Sequence, residues 1–213
     1  MPFASSYRVV VGYTLLMVTG GCFHASRTAK TPYVPTGVTL KQGSTVIGGN
    51  FILPSKVGWQ ATVNTGQSRY STSTIVVYRR TIQGVPATIR FRYEQAPSNK
   101  GRYPATLQGL QTVDAGQVQF HQQLSQKYPN SPVVLHLPSQ ATRFHGKPAL
   151  FIHTITRDGQ TKNAMEEKQL YIGDANAHYD FTLRVAGKNV PPHVLAEAER
   201  DWNALNAAIR PAK

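Results

Sequence analysis

From Tyr179 to Val185 the chain alternates without a break. Tyr179, Phe181, Leu183 and Val185 are apolar, and Asp180, Thr182 and Arg184 between them are polar. Side chains of a strand point alternately to its two faces, so this run is a strand with one face in a core. The same period recurs in Trp59, Ala61 and Val63, and in Thr88 to Tyr93, where Ile89, Phe91 and Tyr93 turn inward and Arg90 and Arg92 turn to solvent. Thr74 to Tyr78, Val133 to Leu137, Thr142 to His145, Ala149 to Thr156 and Lys168 to Ile172 read as further strands. Phe51 to Leu53 is a short apolar run ended by Pro54. Gly84 with Pro86, Gly146-Lys147-Pro148 and Asp158-Gly159 mark turns between strands.

Two segments break that rhythm. Val113, Gly116, Phe120 and Leu124 recur at helical spacing, with Thr112 as the expected N-cap and Pro129, Asn130 and Pro132 as the stop. After Gly187 and Pro191-Pro192, the residues Leu195, Ala198, Trp202, Leu205 and Ile209 form one helical stripe, closed by Pro211. Strands joined by short turns pair antiparallel, and two amphipathic helices must bury their stripes on the sheet. The expected fold class is therefore α+β over residues 50–213: an antiparallel sheet with two packed helices, layered α/β/α, the alternative being both helices on one face.

The N-terminal segment has a different character. Arg8 precedes the apolar run Val9 to Val18, which is too short to span a hydrocarbon core of about 20 residues. Gly20-Gly21 then leads into Cys22, the single cysteine of the protein. A charged start, a short apolar run and small residues before a Cys resemble a bacterial lipobox, with Thr19 where an aliphatic residue is usual. The resemblance implies that residues 1–21 are a lipoprotein signal peptide and that Cys22 is lipidated, anchoring the protein to a membrane in the bacterial envelope, facing the periplasm. Phe23 after that Cys implies the outer membrane rather than the inner one. One cysteine permits no internal disulfide, so packing alone must hold the fold. Residues 22–49 are rich in Thr, Pro, Gly, Ser and Lys and read as a flexible tether. The alternative is a first strand over Val38 to Val46 that packs on the domain.

The order of elements and several landmarks resemble the PsbP-like superfamily, which includes photosystem extrinsic proteins, Mog proteins and small lipoproteins of the DcrB type. The landmarks are Phe51-x-Leu53-Pro54 followed by Gly58-Trp59, a helix from about Thr112 to Tyr128, and His145-Gly146-Lys147-Pro148-Ala149. Tyr171 and Tyr179 in paired strands and a last helix ending at Ile209-Arg210 complete them. Membership implies a sheet-based domain in a binding or assembly role, without catalysis and without a cofactor.

Catalytic signatures are missing: the chain has no Gly-x-Ser-x-Gly elbow, no His-Glu-x-x-His and no Cys-x-x-Cys. His136, His145 and His153 fall in neighbouring strands, and a cryptic histidine-dependent site is the weakest of three readings. For His153, on the face of Phe151 and Ile155, the competing reading is a hydrogen-bonded, half-buried residue. Glu166, Glu167 and Asp180 read as solvated strand ends. Lys and Arg outnumber Asp and Glu by 23 to 10, a net charge of +13 that draws the chain to anionic surroundings. Arg79, Arg80, Arg90 and Arg92, joined by Arg69, Lys100 and Arg102, form the candidate docking face. The competing reading is a charged solvent face that keeps an edge strand from aggregating. The partner expected first is another envelope protein, and second an anionic envelope polymer such as lipopolysaccharide or peptidoglycan. Nucleic acid is not expected, because the aromatic residues fall at inward positions and leave no stacking platform.

Overall fold

The computed structural model describes residues 38–67, 71–95, 103–158 and 163–212. Cys22, the signal peptide expected over residues 1–21 and the part of the expected tether up to residue 37 lie outside these residues, as do Arg69, Lys100, Arg102 and Gly159. Twelve strands and two helices follow in the order β1 (Val38–Thr39), β2 (Thr45–Gly48), β3 (Phe51–Pro54), β4 (Gln60–Gln67), β5 (Thr72–Ile82) and β6 (Val85–Gln95). Then come α1 (Leu107–Lys127), β7 (Val133–His136), β8 (Gln140–Phe144), β9 (Lys147–Arg157), β10 (Asn163–Ile172), β11 (His178–Lys188), α2 (Pro192–Ala208) and β12 (Arg210–Pro211). The main sheet is nine-stranded and antiparallel, in the order β1-β4-β5-β6-β11-β10-β9-β7, with β8 also paired to β9; β12-β3-β2 form a second, three-stranded sheet.

The expected layering is observed, and strand parity explains it. On one face Ile89, Phe91, Leu170, Ile172, Tyr179, Phe181, Leu183 and Val185 are buried with Val194, Ala198, Trp202 and Leu205 of α2. The same core takes in Phe51 and Leu53 of the small sheet. Trp202 stacks on Phe181 at 5.8 Å between ring centroids. On the opposite face the intervening residues Leu150, Ile152 and Tyr171 meet Leu110 of α1, with Leu107 and Val113 at the margin. α1 packs over β9 and β7, so the part of this face carried by β11, β6, β5 and β4 is not roofed by either helix.

Three sequence expectations are corrected. The folded part begins by Val38 and not at Asn50, because β1 pairs with β4 and β2 pairs with β3. Two of the glycines that made this stretch resemble a tether, Gly48 and Gly49, are close-contact sites. A Cβ on Gly48 would stand 2.6 Å from the Phe91 ring, and one on Gly49 2.6 Å from Tyr93 and from the Tyr179 hydroxyl. Second, α1 starts at Leu107, not near Thr112. Thr106 is the cap, its hydroxyl accepting from the Gly109 N–H at 3.1 Å, while the Thr112 hydroxyl turns back within the helix to the Gln108 carbonyl at 2.9 Å. Third, the β8–β9 turn is His145-Gly146, with φ of 47° and 82°. Such a pair of left-handed residues makes the tight hairpin turn that suits strand twist. Lys147 and Pro148 already belong to β9, opposite Phe144 and Arg143.

Candidate functional site

The four arginines do not form one face. In the β5–β6–β11 ladders Arg79, Arg90 and Arg92 project on the α1 side, whereas Arg80, in phase with buried Tyr78 and Ile82, projects under α2. There Arg80 bonds Glu197 at 2.6 Å and Asp201 at 2.7 Å. Asp201 also receives Lys56 at 3.1 Å and the Trp59 indole N–H at 2.8 Å. Burial opposes ionisation of Asp201, but the bonds from Trp59, Lys56 and Arg80 outweigh it and hold the carboxyl below its ordinary range. This cluster ties α2 to the sheet.

Arg90 and Arg92 are not turned to open solvent, which corrects the sequence expectation. Arg90 Nη2 bonds Asp180 Oδ1 at 2.9 Å, and Arg92 pairs with Glu94. Asp180, expected at a solvated strand end, is 1% exposed. It also accepts from the Thr182 hydroxyl at 3.0 Å and bonds His178 Nε2 at 2.9 Å. Its carboxyl lies well below the usual carboxylate range: burial pushes the other way and is overcome by Arg90, His178 and Arg92. A carboxylate so firmly ionised and fully bonded is a poor proton acceptor. Glu167 is likewise taken by Arg184, and Glu166 by His153 at 2.7 Å. Ion pairing therefore takes up Arg90 and Arg92 within the fold. Arg79 alone of the four bonds a hydroxyl, that of Thr62 at 3.0 Å, and pairs with no carboxylate among the described residues. It lines a shallow hollow of about 300 Å³ with Gln60, Pro86 and Thr88.

The three strand histidines do not assemble. His153 takes the half-buried, hydrogen-bonded role beside Glu166, and His145 sits in the β8–β9 turn against Phe144 and Phe51. His136, opposite Thr154 and so on the other face from His153, meets a residue that periodicity did not single out. Nδ1 of His121 on α1 lies 2.7 Å from its Nε2. Burial, followed by the neighbouring His136, lowers the His121 pKa; burial also lowers that of His136, against the field of Asp114. No group of three His, Cys, Asp or Glu among the described residues surrounds a common point.

What sequence reasoning missed lies at the opposite edge of the sheet. No Asp or Glu occurs between Asp114 and Asp158, the stretch that builds most of α1 and all of β7, β8 and β9. Within it Val133 (48% exposed), Leu135 (41%) and Leu137 (42%) share one side of the edge strand, with Tyr128 (50%) just before it. Lys127 lies over the Tyr128 ring at 5.4 Å, and Arg157 stands opposite Val133 in the β7–β9 ladder. Leu137 N donates to the His153 carbonyl, so by the two-residue period of an antiparallel ladder the backbone of Val134 and His136 faces outward. Pro132 and Pro138 bracket this short open edge, a device that limits indiscriminate strand pairing. An apolar row with Lys127 and Arg157 beside it is the surface best suited to a partner. The acid-free interval was legible in the sequence; the exposure of the row was not.

Among the described residues no helix is long and apolar enough to cross a membrane. No family model and no curated protein matches the chain. Among solved structures it is similar to cyanobacterial PsbP (CyanoP) from Synechocystis sp. PCC 6803, at 12% identity and a TM-score of 0.46, covering 87% of this chain and 98% of that one. It is also similar to LpqN, described as involved in cell envelope biogenesis of Mycobacterium tuberculosis, at 13% identity and a TM-score of 0.38, over 84% of this chain and 91% of that one. Neither likeness says what this chain binds.

Proposed function

We propose that this chain is a non-catalytic docking protein of the bacterial envelope, tethered to a membrane through Cys22, which holds an acidic-rimmed protein partner along its β7 edge. The observation that carries this reading is an exposed apolar row, Val133, Leu135 and Leu137, with the cations Lys127 and Arg157 beside it. Apolar area at the centre supplies the free energy of such contacts, and complementary charge at the rim supplies orientation and encounter rate. The alternative site, the Arg90–Arg92 face, already has internal counter-charges.

The test replaces Val133 and Leu135 together by Asp. Both are surface positions, where substitutions usually change stability by less than about 0.5 kcal/mol. The doubly substituted protein is expected to melt with the parent and to leave the larger complex that the parent forms in a gentle detergent extract of the envelope. An unchanged native size would contradict the proposal. Lipid attachment is tested separately: a clickable fatty acid fed to cells should label the parent and not the Cys22→Ser variant, and the label should fractionate with the outer membrane.

One observation favours a second reading. Arg79 lines its hollow without a carboxylate partner among the described residues, and a negatively charged group of an envelope polymer would suit it. Binding of lipopolysaccharide or peptidoglycan that is lost at moderate salt and in Arg79→Glu would favour this polymer reading.

A further inference from the structure

The small sheet is built from two stretches of chain without acidic residues. No Asp or Glu occurs before Glu94 or after Asp201, and β2, β3 and β12 all lie in those stretches. Phe51 and Leu53 turn into the core, so the opposite phase of the sheet turns outward. There Ile47 stands opposite Ile52, and Ile52 opposite Arg210, in one cross-strand row. Ile47 is 63% exposed, Ile52 is half-buried and Arg210 is exposed. Two turns meet at one end of the β2–β3 hairpin. The Lys41 to Ser44 turn presents Lys41 to solvent, and the Lys56 to Trp59 turn presents Val57, which is 75% exposed. The Gly43 N–H, donating to the Ser55 hydroxyl at 2.7 Å, holds the first turn against the strand end. Asp201, which Lys56 reaches, is already bonded to Arg80 and Trp59 as well.

We propose that the outer face of the small sheet seats on an anionic phospholipid bilayer. The inference rests on the Cys22 tether of the proposed function only for which bilayer is met. Apolar side chains such as Ile47 and Val57 enter the headgroup boundary, while Lys41 and Arg210 stay with the lipid phosphates. Charge selects a bilayer over a second copy of the chain. Two such faces would set cation against cation, a juxtaposition that disfavours association, whereas an anionic leaflet answers every one of these charges. The path of the chain points the same way. The sequence after Cys22 enters the described fold at Val38 and builds the small sheet next, and Arg27 and Lys30 in that interval add positive charge without an acid. The β7 edge belongs to the main sheet, so a bilayer and a protein partner do not compete for the same residues.

The experiment uses the full-length chain with Cys22→Ser, so that no acyl chain contributes, and a nitrobenzoxadiazole label on the single cysteine of Ile47→Cys. With vesicles of phosphatidylglycerol and phosphatidylcholine in equal parts, the label should shift its emission to the blue and be quenched by a nitroxide-bearing lipid. The same label at Gln111→Cys on α1 should do neither, even where another part of the chain holds it to the vesicle. Phosphatidylcholine alone should leave both labels unchanged. Lys41→Gln with Arg210→Gln removes two near-surface cations and should weaken the response at position 47 roughly 30-fold. Thr45→Cys, exposed on the same face, repeats the reading should the Ile47 variant fail to fold. Labels at positions 45 and 47 that behave as in water, an equal response at position 111, or an equal response to phosphatidylcholine would overturn the proposal. A blue shift that grows with protein concentration in the absence of vesicles would mark a second copy and overturn it too. Any of these results leaves fatty-acid labelling of Cys22 and docking at the β7 edge to their own tests.

Discussion

Asp180 stands directly opposite Arg92 in the β11–β6 ladder and yet bonds Arg90, one step diagonal to it, at 2.9 Å. Arg92 turns instead to Glu94 on its own strand. Diagonal neighbours are within reach of a long side chain, and the choice leaves Asp180 with three donors and 1% exposure. Charges that composition suggests are available to a partner are thus consumed inside the fold.

Removing one partner of a buried pair strands the other. Asp180→Asn is expected to destabilise the protein by about 3–5 kcal/mol, whereas replacing both Asp180 and Arg90 by apolar residues of similar volume should recover much of that loss. Urea unfolding of the single and double variants measures both. A single variant within about 1 kcal/mol of the parent would show that the pair does not hold the sheet.

The same pair sets an acid dependence. The folded Asp180 carboxyl lies below its unfolded value of about 3.9, so the unfolded chain binds the proton first. Its contribution is complete above that unfolded value and is lost as pH falls toward the folded one. Asp180→Asn should therefore flatten the stability profile below about pH 4, read from denaturant unfolding across the acid range.

At the alkaline end the sign reverses. Burial, and for Tyr171 also the charge of Asp180, pushes the Tyr171 and Tyr179 hydroxyls up to about 12. These groups hold their protons in the fold after an unfolded tyrosine, near 10, has lost its own. Their stabilisation is complete below about pH 10 and disappears as pH rises toward 12. Ultraviolet titration should show exposed tyrosines ionising first and these two only with or just before unfolding; Tyr171→Phe and Tyr179→Phe identify their share of the signal.

Gly49→Ala tests whether the β2–β3 turn belongs to the folded body. A methyl there meets Tyr93 and the Tyr179 hydroxyl at 2.6 Å and also strains a φ of 61°. A loss of about 1–3 kcal/mol is expected. Gly43→Ala, with a φ of 82° but nothing within 4 Å, should cost less, about 1 kcal/mol. Equal effects would mean that the segment packs on nothing.

Alternation made the sheet legible. Tyr179, Phe181, Leu183 and Val185 face the core in the order their spacing demands, and Leu195, Ala198, Trp202 and Leu205 give α2 its stripe. Residues with two competing uses were harder to read. Gly48 and Gly49 have a linker's composition and serve as close-contact sites. Thr106 and Thr112 are chemically alike, and only the path of the chain decides which one caps the helix. Arg90, Asp180 and His121 were misread or missed for one reason: a polar residue on the solvent phase of a strand or helix looks the same whether it meets water or a partner distant in sequence. The docking edge differs again, since Val133, Leu135 and Leu137 alternate like core residues and only the placement of α2 over β11, β6 and β3 leaves them uncovered.

The most direct measurement places a photo-crosslinking amino acid at Leu135 in living cells, with Gln111 on the exposed side of α1 as the control position. Irradiation is expected to give one discrete adduct with an envelope protein at Leu135 and none at Gln111, and the adduct should fade when Val133 is replaced by Asp. No adduct at Leu135, or the same adducts at both positions, would contradict docking along the β7 edge.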